Sequence, residues 1–329
     1  MIETARELTA CGLPFIYRAG VWKPRTRPNT FQGAGEEGLE WLAEVKHTFG
    51  IPIATEVATP EHVEAALKAG IDYLWIGART AANPIAVETI AERISGLVDE
   101  RISGLKAVLI KNPVNADANL WLGNIERLEK TGVAVMAVHR GCNHQPCWGM
   151  AHKVRLARPD IPMLLDPSHM SGDAEQIPTL MAKIEELGLN GAMVEVHCCP
   201  EKALSDNNQQ ITPQQLGNIL APILSRLCLV SLICPSEGHV ELNWLRAEID
   251  ELDERLWDTI AARMEVSERI GEWKKANGVT PLQPERYQQI VEKLKGKGEK
   301  FKDKGLSVEF MLRLWEMIHE ESLNKQIEN

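Results

Sequence analysis

The sequence predicts an α/β chain: a (β/α)8 barrel of which seven strands are readable and the first is missing, followed by a small all-α domain. Three observations predict this. Up to about residue 225, short apolar runs rich in β-branched residues alternate strictly with helix-periodic segments, the pattern of parallel strands covered by helices. Each run ends in a polar or ionisable residue, and a TIM-type barrel, unlike an open sheet with a single switch point, draws functional groups from all its strand ends. From Trp244 onward no strand-like run occurs.

The chain opens on what reads as the helix following a first strand. Strands are then expected at "FIYRAGV", "IPIATEV", "YLWIGA", "AVLIKN", "VAVMAVHR", "MLLDPSH" and "AMVEVH". Their polar ends are Arg18, Glu56, Arg79, Lys111, His139 with Arg140, Asp166 with His169, and Glu195 with His197. Between them, "GLEWLAEVKHTF" and "TPEHVEAALKAG" read as helices, the second with Thr59 as N-cap, Pro60 in the first turn and Gly70 as stop. A duplicated "ERISGL" at 92–97 and 100–105 lengthens a helix or loop. "RLCLVSLICPSEGHVELN" carries Pro235, Ser236 and Gly238, which mark a linker. The expected division is a barrel domain 1–226, a linker 227–241 and a helical domain 242–329. In the latter a helix runs from Trp244 to about Asn277 with an apolar stripe of Leu245, Ile249, Leu252, Leu256, Ile260 and Ile270. A second helix follows "NGVTPLQP", the Lys-rich "KLKGKGEKFKDKG" is expected as a solvated loop, and a third helix spans roughly Ser307 to Gln326.

Bulk properties bound the function. A length of 329 residues calls for two units. A net charge of −10 argues against nucleic-acid or membrane-surface binding. Seven cysteines without a regular framework point to free thiols in a reducing compartment. The start, with Glu3 and Glu7, does not read as a signal peptide, and no run reaches membrane-spanning length. A cytoplasmic location is expected.

Against the acidic total, the cations of the barrel stand out. Arg18, Lys23, Arg25, Arg79, Lys111 and Arg140 lie on or just beyond strand ends, where forked Arg donors and Lys point charges suit phosphate and carboxylate groups. Pro24 and Pro28 pre-set the backbone that presents Lys23, Arg25 and Thr26. His169, Glu195 and Asp206 offer an imidazole and two carboxylates from neighbouring strand ends, a mixed set suited to Mn, Fe, Co or Zn. His139, Cys142, His144 and Cys147 are ligand types too, but their spacing matches no zinc module. In the helical domain, Arg263 and Lys274 are eleven residues apart, within roughly 20° on one face. Ser322 and Gln326 sit at i and i+4 on the last helix. Cations on a largely apolar stripe are costly unless they meet an anion, so either a dianionic ligand is expected there or Arg263 and Lys274 snorkel to solvent.

In order, "KPRTRPNTFQG", "TEV", "WIGART", "KNPVN", "HRG", "DPSH" and "MVEVH" followed by "ALSD" resemble the 3-deoxy-D-arabino-heptulosonate-7-phosphate synthases of type I-beta over nearly all of residues 1–225. The resemblance implies condensation of phosphoenolpyruvate with erythrose 4-phosphate, the entry step to aromatic amino acids. It places Arg18, Lys23, Arg79, Lys111 and Arg140 on phosphoenolpyruvate, Arg25 and Thr26 on the sugar phosphate, and His169, Glu195 and Asp206 on a divalent metal, with no organic cofactor. Lys111 and Glu56 are candidates for proton or water management. The family's Ala-Gly-Pro-Cys motif, whose Cys is a fourth metal ligand, is absent, and Cys11 stands after the first helix. The expectation is that a first strand precedes residue 1, the alternative being a barrel that has lost a strand and a ligand.

"LRAEIDELDERLWDTIAARMEVSERIGEWKKAN", "PERY" and "HEESLNKQ" resemble the all-helical chorismate mutases over 242–329. The resemblance assigns Arg246, Arg263 and Arg286 to the carboxylates of chorismate, and Lys274 and Gln326, assisted by Ser322, to the ether oxygen of the breaking bond. Arg246 precedes Arg263 by seventeen residues, roughly 100° round the helix, and in that family this Arg comes from a partner subunit, so a homodimer is expected. Gln283 and Tyr287 stand where an Asp and a Glu often meet the substrate hydroxyl. The pairing of the two domains suggests feedback control of the barrel by chorismate or prephenate.

Overall fold

The computed structural model describes residues 1–24, 30–99, 104–230, 237–302 and 304–327. Helix α1 (Ile2–Ala10) precedes β1 (Tyr17–Ala19). There follow α2 (Glu36–Phe49), β2 (Ile53–Val57), α3 (Pro60–Lys68), β3 (Tyr73–Ile76), α4 (Ala78–Ala81), α5 (Pro84–Asp99) and β4 (Ala107–Lys111). Then come α6 (Ala118–Glu129), β5 (Ala134–His139), α7 (Trp148–Ala157), β6 (Met163–Leu165), α8 (Pro167–Ser171), α9 (Ile177–Glu186), β7 (Gly191–Ala192) and α10 (Pro213–Val230). The remaining helices are α11 (Glu237–Ala276), α12 (Pro284–Lys302) and α13 (Val308–Ile327). The molecule divides into two compact units, Met1–Glu248 and Ile249–Asn329.

In the first unit all seven strands run parallel in the order β1 to β7. Among the described residues β7 and β1 do not pair, so the sheet is a barrel open along one seam. Open edges invite pairing with other chains, and here both are short: β1 has three residues and β7 two. Ile211 also pairs in parallel beside Val196, its N–H donating to Glu195 O and its C=O accepting from His197 N–H. Across the open side, helix α1 packs on α10 and α2.

Strand periodicity sorts the side chains into two layers. Ile53, Val57, Leu74, Ile76, Val108, Ile110, Ala137, Met163 and Leu165 face outward into the core shared with the helices. Ala54, Trp75, Leu109, Val138 and Met193 form a smaller inner core. Two residues beyond Ala54, Leu109 and Met193 on the same inner row stand Glu56, Lys111 and Glu195, and Asp166 follows Leu164 in the same way. The inner row thus turns from apolar to charged at the C-terminal rim.

The same parity corrects one expectation. His139 follows the inward Val138 and therefore faces outward, fully buried between Trp121 and Trp148 at ring-centroid distances of 6.1 and 5.4 Å. It belongs to the helix-sheet layer, not the rim. Trp244, on the opening turns of α11, is buried in this unit against Trp148 and His152, both at 5.8 Å. Its Nε1–H donates to Leu187 O at 2.9 Å, and Asn243 Nδ2 donates to Glu186 O. These two bonds cap the orphan carbonyls at the end of α9. The linker expected at 227–241 falls in part on residues 231–236, outside the described residues, as do the repeat residues 100–103.

In the second unit α12 packs on α13. The Lys-rich segment expected as a loop continues α12 as far as Lys302. It contains no proline, and Lys293, Lys295, Lys297 and Lys300 are exposed while the helix carries them, so the glycines at 296 and 298 cost propensity without breaking the turn.

Candidate active sites

At the barrel rim the organising group is Asp166, a residue that the sequence marked only as a polar strand end. It is fully buried. As N-cap of α8 its carboxylate accepts from His169 N–H at 3.1 Å, with Pro167 in the first helical turn. The same carboxylate accepts from Lys111 Nζ at 2.6 Å and lies 2.9 Å from His169 Nδ1. Burial pushes the Asp166 carboxyl up, but His169, Lys111 and Arg18 overcome this and hold it well below the ordinary carboxylate range. Ser168, the next residue but one, accepts the backbone N–H of Glu195. "DPSH" therefore fixes Lys111, His169 and Glu195 at once, by one N-cap and two hydrogen-bonding side chains.

Around this centre the cations converge. Arg18, on β1, lies over the Trp75 ring with its guanidinium carbon 5.4 Å from the centroid and its Nη2 3.3 Å from Glu195 Oε1. Among the described residues its Nε and Nη2 are buried without a hydrogen-bond partner. Arg140 Nη2 reaches His169 O at 3.4 Å, and Arg140 lies close enough to Asp166 and Arg79 for their charges to act on it. Burial lowers its pKa, Asp166 opposes this and Arg79 adds to it. Its backbone N–H donates to Asn112 Oδ1 at 2.7 Å, and Asn112 Nδ2 donates to Gly141 O at 3.0 Å. This buried amide, unassigned from sequence, ties the ends of β4 and β5 together.

Glu56 completes the inner ring. Burial raises its pKa, against the pull of Lys111, His169 and Arg18, so it is the rim carboxyl most ready to carry a proton. Gly77 leaves room beside it, since a Cβ there would meet the Glu56 carboxylate and make it shift. Glu195 differs: burial pushes its carboxyl up, yet His169, Arg18 and the amide of Gln209 leave it below the ordinary range.

The residues expected to hold a metal come together only in part. His169 Nε2 is 3.8 Å from Glu195 Oε1, and its Nδ1 is oriented by Asp166, the arrangement that fixes the tautomer of a ligating imidazole. Asp206 does not join them as the sequence suggested. It takes a left-handed conformation, φ 56°, and pairs with Lys23 Nζ at 3.1 Å, while that ammonium also donates to Ser205. Among the described residues no three His, Cys, Asp or Glu side chains form a metal-ligand set, His139, Cys142, His144 and Cys147 included. Cys11, Cys142, Cys147, Cys198 and Cys199 are unbridged, and Cys11 Sγ donates to Glu7 O and Pro213 O. Arg25 and Thr26 lie outside the described residues.

In the second unit two pairs hold the centre. Arg263 Nη1 donates to Ser322 Oγ and, at 3.2 Å, to Ile318 O. Lys274 Nζ donates to Gln326 Oε1 at 2.9 Å and to Pro281 O at 2.7 Å. Ser322 is buried, and burial lowers the pKa of both cations. Gly271 allows the close approach of α11 and α13, since a Cβ there would stand 2.7 Å from Gln326 Cα. The four residues predicted for the ether oxygen and one carboxylate are thus assembled. Arg286 is exposed and among the described residues reaches only Gln289, at 3.4 Å, so it stands outside that cluster. Arg246 is exposed on the part of α11 that belongs to the first unit.

A parallel barrel sheet whose inner row becomes a ring of cations and buried carboxylates at its C-terminal rim defines an anion-handling α/β-barrel enzyme. The DAHP synthetase I family model matches residues 1–225, and the chorismate mutase type II model matches residues 245–327. The chain belongs to the DAHP synthetase I family and carries a chorismate mutase type II segment behind its barrel. A phospho-2-dehydro-3-deoxyheptonate aldolase of Thermotoga maritima is 30% identical over 218 residues, 64% of this chain, and the match spans 61% of that relative. A 2-dehydro-3-deoxyphosphooctonate aldolase of Variovorax paradoxus is 24% identical over 242 residues, 68% of this chain and 82% of its own length. The crystal structure of the Thermotoga maritima aldolase (DAHP synthase) superposes with a TM-score of 0.59 at 27% identity, covering 70% of this chain and 65% of that one. A truncated form of the 3-deoxy-D-arabino-heptulosonate 7-phosphate synthase of Thermotoga maritima, at 23% identity and a TM-score of 0.55 over 70% of this chain and 81% of that one, shares the fold. Among the described residues no helix is long and apolar enough to cross a membrane.

Proposed function

We propose that the chain condenses phosphoenolpyruvate with erythrose 4-phosphate in its barrel and rearranges chorismate to prephenate in its helical unit, as a cytoplasmic homodimer. The observation that carries the barrel activity is Arg18, a guanidinium at the inner rim with two nitrogens that lack a hydrogen-bond partner among the described residues, facing the same carboxylates, Glu56 and Asp166, as Lys111 does. The carboxylate and phosphate of phosphoenolpyruvate supply the missing acceptors, with Arg79, Lys111 and Arg140 closing on them, and such fixed charges stabilise a developing anion without reorganising. Lys23 is proposed for phosphoenolpyruvate with them, and Arg25 and Thr26 for the phosphate of the sugar. In the reaction, C3 of phosphoenolpyruvate attacks the aldehyde carbon, water adds at C2, and inorganic phosphate leaves. Asp166 holds Lys111 aimed inward through their 2.6 Å ion pair, and Glu56 is the group able to exchange a proton. The family is consistent with a divalent metal (Mn, Fe, Co or Zn), for which His169 and Glu195 lie together while Asp206 stays with Lys23.

The helical reaction is unimolecular and needs placement alone. Arg263 with Ser322 holds a carboxylate, and Lys274 with Gln326 hydrogen-bonds the ether oxygen as charge grows on it. Leu245, Ile249, Leu252 and Leu256 recur on α11 at alternating spacings of three and four and are 44 to 58% exposed. A row of this period suits a second copy of the same helix, and in that dimer the partner's Arg246 completes the site.

Phosphate release tests the barrel, assayed with added Mn²⁺ and with EDTA. Release that requires both substrates and disappears in Lys111→Ala supports the reading. A second reading, a chorismate mutase with a non-catalytic regulatory or scaffold barrel, is favoured by the open seam between β7 and β1. Loss of chorismate absorbance without any phosphate release selects it. Feedback is part of the proposal: chorismate or prephenate bound to the helical unit inhibits the barrel, and inhibition that persists in a chain ending after Glu248 refutes this.

A further inference from the structure

α13 carries one more polar ring on the face that presents Ser322 and Gln326. His319 precedes Ser322 by three residues and Gln326 by seven, which places all three on one side of the helix. Trp315 stacks on it, ring centroids 4.8 Å apart and planes within 14°. Tyr287 of α12 leans on both, 5.5 Å from the His319 ring and 5.0 Å from the Trp315 ring, and its hydroxyl donates to Glu316 Oε1 at 3.3 Å. The imidazole is half-buried, and among the described residues nothing hydrogen-bonds its ring nitrogens. It lies close enough to Arg263 and Lys274 to feel both charges. Burial first, and then those two cations, lower its pKa.

A core histidine usually spends at least one nitrogen on a partner. Here the ring is clamped in plane by two aromatic neighbours, its nitrogens unspent, beside the two cations of the mutase cluster. A neutral imidazole both donates and accepts, so it does not duplicate the cations; it complements a hydroxyl. We propose that His319 is a further substrate-contacting residue of the mutase site, hydrogen-bonded to the hydroxyl of the dianionic substrate whose carboxylate and ether oxygen meet Arg263 and Lys274, with Trp315 and Tyr287 fixing its ring. This rests on the mutase function proposed above and extends it to specificity.

The test uses the full chain with two variants, His319→Phe, which keeps the stack and removes the nitrogens, and His319→Gln, which restores a donor and an acceptor. Chorismate and an analogue with the hydroxyl methylated are the probes, with turnover followed by absorbance and folding by thermal melting. The expected result is a fall in kcat/KM of about 10- to 100-fold for His319→Phe, partly recovered in His319→Gln. The preference for chorismate over the analogue, strong in the wild type, is expected to shrink by a similar factor in His319→Phe, a coupling that a purely structural ring would not produce. Unchanged kcat/KM and unchanged discrimination in His319→Phe overturn the proposal while leaving the mutase function intact. No chorismate turnover in the wild-type chain overturns both.

Discussion

Asp166 illustrates what a single buried carboxylate does for a site. It is the shared partner of Lys111 and His169, so Asp166→Asn leaves a buried ammonium without its counter-ion. Breaking a buried pair from one side costs about 3–5 kcal/mol. The expected outcome is a large drop in melting temperature together with loss of phosphate release, and replacing Lys111 by Met in the same chain should recover much of the stability and none of the activity. His139 gives the opposite charge logic. Burial chiefly lowers its pKa from 6.5 to about 4, so between those values the unfolded chain binds a proton that the native one refuses. Stability is therefore retained above pH 6.5 and falls as the pH drops toward 4, by on the order of 3 kcal/mol. Urea titrations across that window should show this slope in the wild type and its absence in His139→Phe. The cations and carboxylates of the rim were legible because each stands at the end of an apolar run. Their grouping was not: which of His139 and Arg140 faces inward depends on strand parity, and Asp166 is distinguished from any other strand-end acid only by the two side chains that reach it across β4 and α8.

Among elements, α11 departs most from its sequence-level description. Its apolar stripe and its end near Asn277 were readable from periodicity, and so were the starts of α12 and α13. That its first turns belong to the barrel unit was not, since Trp244 reads equally well as the first residue of a helical domain. Only its burial against Trp148 and His152, and its hydrogen bond to Leu187, place it. Trp244→Ala is expected to destabilise the barrel unit by about 3–5 kcal/mol, whereas Trp244→Phe, which keeps the ring contacts and loses one hydrogen bond, should cost about 1 kcal/mol. Equilibrium denaturation of the full chain checks both, and equal small effects would show that the ring is not part of that core. The Lys-rich stretch shows the converse error: a high density of like charge suggested a loop, but a helix with water on its charged face carries lysines without penalty beyond the glycines within it.

For the molecule as a whole, the two proposed sites share a physical device, half-buried or buried cations held by few internal acceptors, which the proposed anionic ligands would complete. The proposed dimer makes one quantitative statement. In a one-to-one mixture of Arg246→Ala and Lys274→Ala chains, each inactive alone, hybrid dimers should regain one intact helical site, about one quarter of the wild-type mutase rate overall. Zero recovery after subunit exchange would mean that each chain builds its site unaided. Seven parallel strands and their order were foreseeable from the βα alternation, while the short edges at β1 and β7 and the Ile211 pairing are products of folding that no local pattern announces. The most direct test of the central claim is release of inorganic phosphate from phosphoenolpyruvate by the intact chain. The account predicts release that begins only when erythrose 4-phosphate is added and that vanishes in both Arg18→Ala and Lys111→Ala. Phosphate release untouched by either substitution, or none under any divalent metal supplied, would contradict it.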